Sequence, residues 1–425
     1  MKVIHTQGRG AVQAAEAIAT LERRGGAALQ PVLPAVRRIV ADVRRNGDRA
    51  LRRYARTLDA LPAEAPLRVS QDEIREAWEA STPELRRALE TAAKRIRAFA
   101  RRQMPKSWTM TAGGVTTGQL VRPLRSAGCY IPSGRHPLPS TLLMTVIPAQ
   151  VAGVERIVVV SPRPVQETLA AAHLLGITEF YRMGGAHAVA ALAYGTESLS
   201  AVEKIVGPGS LYVTAAKQLV AADCPIDMLA GPTEIVVTSD GGDPALIAAD
   251  LVAQAEHDPE ALAVFVTTRE DLALAVAAEV KTQSRENLTA RKALAKNGWI
   301  IVAPTLDEAR EITNRIAPEH LTVDAAEDLD WVRNAGSIFV GDWSAQPMGD
   351  YISGPNHTLP TGGMARVRGG LSVLDFVKLI TVQEYAREGV AALGPHAAAL
   401  ADCEGLAAHA ESIRLRVKLS RRADG

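Results

Sequence analysis

Glu319 and His320 stand side by side in Ala317-Pro-Glu-His-Leu321, just before a short apolar run. An imidazole titrates near ~6.5, so it takes and returns a proton close to neutrality. A neighbouring carboxylate can activate water or raise the imidazole pKa. Adjacent Glu-His pairs also arise by chance. Gln254 and His257 are three residues apart at the end of an apolar-periodic helix, so both side chains can leave one helical face. Imidazole is a common zinc ligand, a glutamine amide a weak, neutral and uncommon one, and locally the segment reads more simply as a polar helix end. Gly349–Thr361 is rich in glycine and proline and carries Asp350, Asn356 and His357. It reads either as a functional loop or as a surface loop with turn residues. Glu404 and His409 are five apart, nearly half a turn off one helical face, so a shared site is allowed but not implied.

Two glycine turns could hold a nucleotide. Gly184-Gly185 and Gly207-Pro-Gly209 each lie between a strand pattern and a helix pattern, where free backbone N–H groups favour a phosphate. Such turns also serve merely to reverse the chain, and the usual dinucleotide fingerprint GxGxxG is absent.

The elements that position these groups are legible in outline. Leu33–Leu58 and Ser70–Arg102 carry apolar residues at helical spacing. From residue 120 the pattern alternates, with strands at Arg156–Pro162, Glu179–Met183 and Lys204–Val206, each followed by a helix. A second series, Glu234–Thr238, Ala263–Thr267, Trp299–Val302 and Ser337–Val340, has helices between. Strand, turn and helix in repetition predict parallel α/β sheets. After Leu371 the pattern returns to helix, with Ala391–Ala410 alanine-rich.

Composition narrows the class. In 425 residues, 48 Lys and Arg nearly cancel 47 Asp and Glu, which gives no reason to expect nucleic acid or an anionic membrane as partner. Cys129, Cys224 and Cys403 lack CxxC spacing, so a disulfide framework is not suggested and a reducing cytoplasm fits best. The start lacks the apolar stretch of a signal peptide. The uncharged run Pro137–Val154 contains three prolines and reads as a loop followed by a buried helix. The basic tail Arg414–Arg422 reads as a solvated end.

Taken together, the segments resemble the histidinol dehydrogenase family from about residue 30 to about residue 415. The resemblance is carried by Tyr130-Ile-Pro, Pro139–Met144, Ile147–Gly153, Gly207-Pro-Gly209, Leu229–Glu234, Gln254–His257, Ala317–Leu321, Asn356–Thr361 and Glu404–His409, all in order. It implies a zinc site of Gln254, His257, Asp350 and His409, the last supplied by the other subunit of a homodimer. It implies Glu319 and His320 as the acid/base pair and NAD as hydride acceptor. Substrate positions would be Ser140, Thr233, His357 and Glu404, together with His320 and the zinc ligands. Tyr130, His187 and Ser210 would meet NAD.

The chain departs from the family at that last surface. Gly184-Gly-Ala-His187 stands for Gly-Gly-Ala-Gln, Gly207-Pro-Gly-Ser210 for Gly-Pro-Gly-Asn, and Pro132-Ser-Gly134 for Pro-Gly-Gly. Arg366-Val-Arg-Gly-Gly370 replaces a more serine-rich loop. The alternatives are a relative that oxidises another alcohol, such as a sulfonated diol, and a zinc hydrolase without NAD. The implied fold is two Rossmann-like parallel-sheet domains, one inserted in the other. Residues 26–125 and 232–370 would form the metal and substrate domain, enclosing an NAD-binding domain at 126–231. Residues 1–25 would be a helical segment, and 371–425 a helical arm exchanged in the dimer.

Overall fold

The computed structural model describes residues 1–25, 29–133 and 137–421. The chain divides into two compact units, Met1–Gln103 with Leu124–Phe376, and Met104–Pro123 with Val377–Gly425.

The first unit contains two parallel sheets. Six strands lie in the order Lys2–His5, Gly298–Val302, Leu262–Thr267, Glu234–Thr238, His320–Val323, Ser337–Val340. The inner strands Glu234–Thr238 and Leu262–Thr267 are buried throughout, as parallel strands covered on both faces require. Within the expected helical segment 1–25, Lys2–His5 is thus an edge strand, and only Ala11–Glu22 behind it is an α-helix. Lys2–His5 buries Ile4 alone, and its pairing with Trp299–Val302 fixes it as a strand.

The second sheet has four strands in the order Glu179–Tyr181, Arg156–Val160, Ser126–Tyr130, Ile205–Val206. Helix Leu33–Leu58 packs on Gly185–Tyr194, and Pro83–Gln103 on the buried helix Pro139–Ala152. Val36, Val40, Val43 and Leu51 fill one core with Ala186, Ala188, Ala190 and Ala191. Alanines leave room for a second helix to come close, so these N-terminal helices cover the smaller sheet. The expected helix over 70–102 is two, Gln71–Glu79 and Pro83–Gln103, the first opened by a capping box between Ser70 and Glu73.

The second unit holds an antiparallel sheet in the order Val377–Tyr385, Val115–Pro123, Trp108–Ala112. Val377–Tyr385 corrects the expectation of helix after Leu371. Its β-branched residues pair along their whole length with Val115–Pro123, and that partner decides the conformation. Helices Arg387–Cys403 and Ala407–Arg421 follow and pack on each other, with Gly394 leaving room for Val417. Among the described residues no helix is long and apolar enough to cross a membrane.

Candidate active site

Glu319 and His320 open a strand of the larger sheet at its N-terminal edge. The helix Leu306–Ile316 ends in Ala317, whose φ of 50° lies in the left-handed region that side-chain-bearing residues avoid. Pro318 follows, and the chain turns sharply into His320–Val323, paired in register with Ile235–Thr238. That turn buries both side chains.

Glu319 Oε2 accepts hydrogen bonds from Thr233 Oγ1 at 2.6 Å and from the Glu234 backbone N–H at 2.8 Å. Burial pushes its pKa up to about 7, against the pull of His320 and of these two donors. His320 Nδ1 lies 3.0 Å from the Glu234 carbonyl oxygen. A carbonyl only accepts, so Nδ1 carries a proton and Nε2 is the variable nitrogen. Burial disfavours charge on this imidazole, but the Glu319 and Asp350 carboxylates outweigh it and push the pKa up to about 9.

Gln254 is fully buried in the last turn of Pro244–Ala255, and its Nε2 donates to Thr233 Oγ1. Because the Thr233 hydroxyl proton goes to Glu319, its oxygen must accept from Gln254. The amide is thereby oriented, and its Oε1 is buried with no hydrogen-bond partner. His257 lies past the helix end, with its N–H turned back to the Gln254 carbonyl at 3.4 Å. The pair therefore shares a terminal turn and not one continuous helical face. The exposed His257 imidazole is near enough to influence both Asp350 and His357 electrostatically.

Asp350 sits in the short helix Gln346–Tyr351. Gly349 allows the approach, since a Cβ there would lie 2.6 Å from the Phe339 ring. Asp350 Oδ1 is 3.7 Å from His320 Nε2, and Oδ2 accepts from Gln346 Nε2 at 3.0 Å. Burial opposes its charge, yet the neighbouring His320 imidazole holds the pKa below the ordinary carboxylate value, with His357 and His257 assisting. His357 donates from Nδ1 to the Asp350 backbone carbonyl at 2.8 Å and accepts at Nε2 from Thr141 Oγ1 at 3.2 Å. Both nitrogens are satisfied in the neutral form, and burial lowers its pKa accordingly. His320, Asp350 and His357 line a cavity of 380 Å³ with Phe339, Trp343 and Met348. Ser140 is half-buried in the first turn of Pro139–Ala152, beside Thr141.

Thr141, Glu234 and Phe339 shape this site and were not singled out in the sequence. Thr141 and Glu234 lie within the quoted segments Pro139–Met144 and Leu229–Glu234, and Phe339 within the expected strand Ser337–Val340, but nothing local marked any of them for chemistry. Glu404 and His409 belong to the second unit, both exposed, and Gly405 with φ of 73° separates their helices.

A divalent metal suits the donors in the first unit. Gln254 Oε1 is an orphaned buried oxygen, Asp350 supplies a carboxylate and His257 an imidazole. Among the described residues no three His, Cys, Asp or Glu side chains form a closed metal cluster. A set of this kind fits a site that takes a neutral amide and needs a further donor.

The expected cofactor residues lie at the C-terminal edge of the smaller sheet. Tyr130 ends its strand, and its buried hydroxyl accepts from the Gly185 N–H at 3.0 Å. Gly207 has φ of 116°, and a Cβ there would stand 2.2 Å from the Tyr130 carbonyl oxygen. The loop is braced from below, as the Gly207 N–H donates to Asp227 at 2.7 Å and Lys217 donates to the Gly207 carbonyl at 2.9 Å. Ser210 is exposed at the start of Leu211–Val220. His187 is turned inward, with Nε2 2.8 Å from Asp59 Oδ2, which also accepts from the Gly184 N–H. Ser133 accepts from the Arg163 N–H at 3.2 Å, tying its loop to the next strand end, while Gly134 lies outside the described residues. Arg366 donates to the backbone carbonyls of Gly363, Glu22 and Arg315, and Arg368 donates to the Asp227 carbonyl and pairs with Asp375. Both arginines brace loops.

Comparison with known proteins places this architecture. The family model described as histidinol dehydrogenase matches residues 22–417. The histidinol dehydrogenase of Methanothermobacter thermautotrophicus is 47% identical over 416 residues, covering 94% of this chain and 97% of that protein. That of Geobacillus kaustophilus is 46% identical over 417 residues, with 93% and 98% covered. The crystal structure of histidinol dehydrogenase from Elizabethkingia anophelis superposes with a TM-score of 0.91 at 34% identity, covering 98% of each chain. A match spanning nearly the whole chain, with Glu319, His320 and the oriented Gln254 amide assembled at one sheet edge, leads to one conclusion: the chain belongs to the histidinol dehydrogenase family.

Proposed function

We propose that the chain oxidises L-histidinol through L-histidinaldehyde to L-histidine with two NAD, the last two steps of histidine biosynthesis. The observation that carries this reading is the oriented Gln254 amide. Its free Oε1 lies one hydrogen-bond relay away from Glu319, through Thr233, so metal donor and acid/base pair are built as one unit.

Gln254, His257, Asp350 and His409 of a partner subunit would hold one zinc. That metal would supply a Lewis-acid centre for holding and orienting the substrate. His320 Nε2 removes the alcohol proton as hydride leaves for the first NAD. An Asp350 carboxylate shared with a cation would favour charged His320 less, which would leave the imidazole nearer the neutral base this step needs. Glu319, with a pKa near neutrality, then takes a proton from water at the aldehyde, and His320 acts again as the second hydride departs. Thr233 and the Glu234 N–H hold one carboxylate oxygen still while the other works. Ser140, Thr233 and His357 line the substrate, and Glu404 of the partner receives its cationic or N–H groups. Tyr130 and Ser210 face NAD, with His187 acting through the Gly184-Gly185 turn.

The active state is a homodimer in the cytoplasm, each second unit completing its neighbour's site. Support comes from the exposed Glu404 and His409, and from the exposed Trp343 and Met348 that line the cavity. Purified protein incubated with L-histidinol, NAD and zinc should yield L-histidine by mass spectrometry. Turnover of a sulfonated diol but not of histidinol would replace the substrate assignment. Mixing Glu319→Gln with His409→Ala subunits should restore roughly a quarter of the wild-type rate of L-histidine formation through hybrids with one intact site. Hybrids that form L-histidine no faster than their parents would contradict site sharing.

A further inference from the structure

We infer that Arg24 is a positioning residue for the acid/base pair, acting through Glu234 and the turn at Ala317. The inference rests on the assignment of Glu319 and His320 as the proton-transfer groups.

Arg24 follows the first helix, Ala11–Glu22, remote in sequence from the site. Its Nε and one terminal nitrogen donate to the two carboxylate oxygens of Glu234, each at 2.6 Å. Its other terminal nitrogen donates to the Ile316 carbonyl at 2.6 Å and also to the Leu21 carbonyl. The two side chains are 15% and 5% exposed, so the pair is shielded from screening by solvent. The Glu234 carboxylate also accepts from the Gly362 N–H at 3.0 Å. Gly25 and Gly362 pack backbone to backbone, since a Cβ on Gly25 would stand 2.8 Å from the Gly362 carbonyl oxygen.

The consequence lies in what Glu234 does with its backbone. Its N–H donates to Glu319 Oε2, and its carbonyl accepts from His320 Nδ1. One peptide segment therefore fixes the carboxylate oxygen that stays bound and the tautomer of the imidazole. The left-handed Ala317, whose preceding carbonyl Arg24 holds, launches Pro318 and the pair itself. A planar guanidinium satisfies this geometry with its fixed fork of donors, whereas a lysine ammonium carries the charge but cannot span both carboxylate oxygens and the turn. No feature of the Arg24 environment gives it contact with the 380 Å³ cavity, so its influence is indirect.

The test is steady-state kinetics of Arg24→Lys beside wild type, with zinc content and thermal midpoint measured on the same samples. The variant is expected to keep its zinc and a histidinol KM within about threefold of wild type, while kcat falls about 10- to 100-fold, the scale of a small misplacement of reacting groups. If Arg24→Lys does not fold, the double replacement Arg24→Met with Glu234→Met removes the buried pair without leaving a lone charge and gives the same readout. A lowered thermal midpoint with kcat per zinc-loaded protein within twofold of wild type would show a merely structural ion pair and overturn the inference. Wild-type protein without histidinol oxidation would instead strike the assignment on which it rests.

Discussion

Glu319→Gln is expected to halt the reaction at its midpoint. The glutamine Oε1 can accept from Thr233 and the Glu234 N–H as the carboxylate does, so the buried contacts survive the exchange. What the amide cannot do is take a proton from water. In the proposed mechanism the alcohol oxidation uses His320 as its base, whose Nδ1 stays on the Glu234 carbonyl, whereas conversion of the aldehyde needs an activated water. The second oxidation should slow by about 10²–10⁴-fold, with NADH per histidinol falling towards one and aldehyde recoverable by a trapping reagent. Single-turnover absorbance with an aldehyde trap checks it. Two undiminished oxidations at wild-type rate would remove Glu319 from the mechanism.

Asp350→Asn should cost the protein its metal. The side chain offers the one anionic donor in the proposed first-unit set, beside a neutral amide and an imidazole. The loop around it should hold, because His357 donates to the Asp350 backbone carbonyl and an asparagine oxygen still accepts from Gln346. Zinc affinity is expected to fall by at least about 100-fold, more than losing an outer-shell partner costs, and activity with it. Atomic emission on dialysed protein against wild type reads the result. Full zinc retention would mean that Asp350 is no ligand and acts only on His320, 3.7 Å away.

How much of this was legible in the sequence depends on the range of the interaction that decides each feature. The buried strands Glu234–Thr238 and Leu262–Thr267 announce themselves by continuous apolar runs bounded by turns. Lys2–His5 and Val377–Tyr385 do not, because the first buries one residue and the second is mostly exposed; each is a strand by virtue of its partner. At the site, Glu319 and His320 were visible as chemistry, but the pKa of about 7 on Glu319 is a product of burial that no local pattern encodes. Gln254 looked like an ordinary polar helix end. Its free oxygen exists only because Thr233, from another strand end, is already committed to Glu319. The substitution at His187 could be seen, whereas its inward turn onto Asp59 requires the helix Leu33–Leu58 to end beside it.

The central claim is that one metal-dependent site performs both oxidations. The most direct measurement is NADH formed per L-histidinol consumed by purified protein, with and without a zinc chelator. About two NADH per histidinol is expected, abolished by chelation and restored by zinc, since an alcohol-to-acid conversion surrenders two hydrides to the nicotinamide. Zinc-loaded protein that forms no NADH from histidinol, or a yield indifferent to chelation, would contradict it.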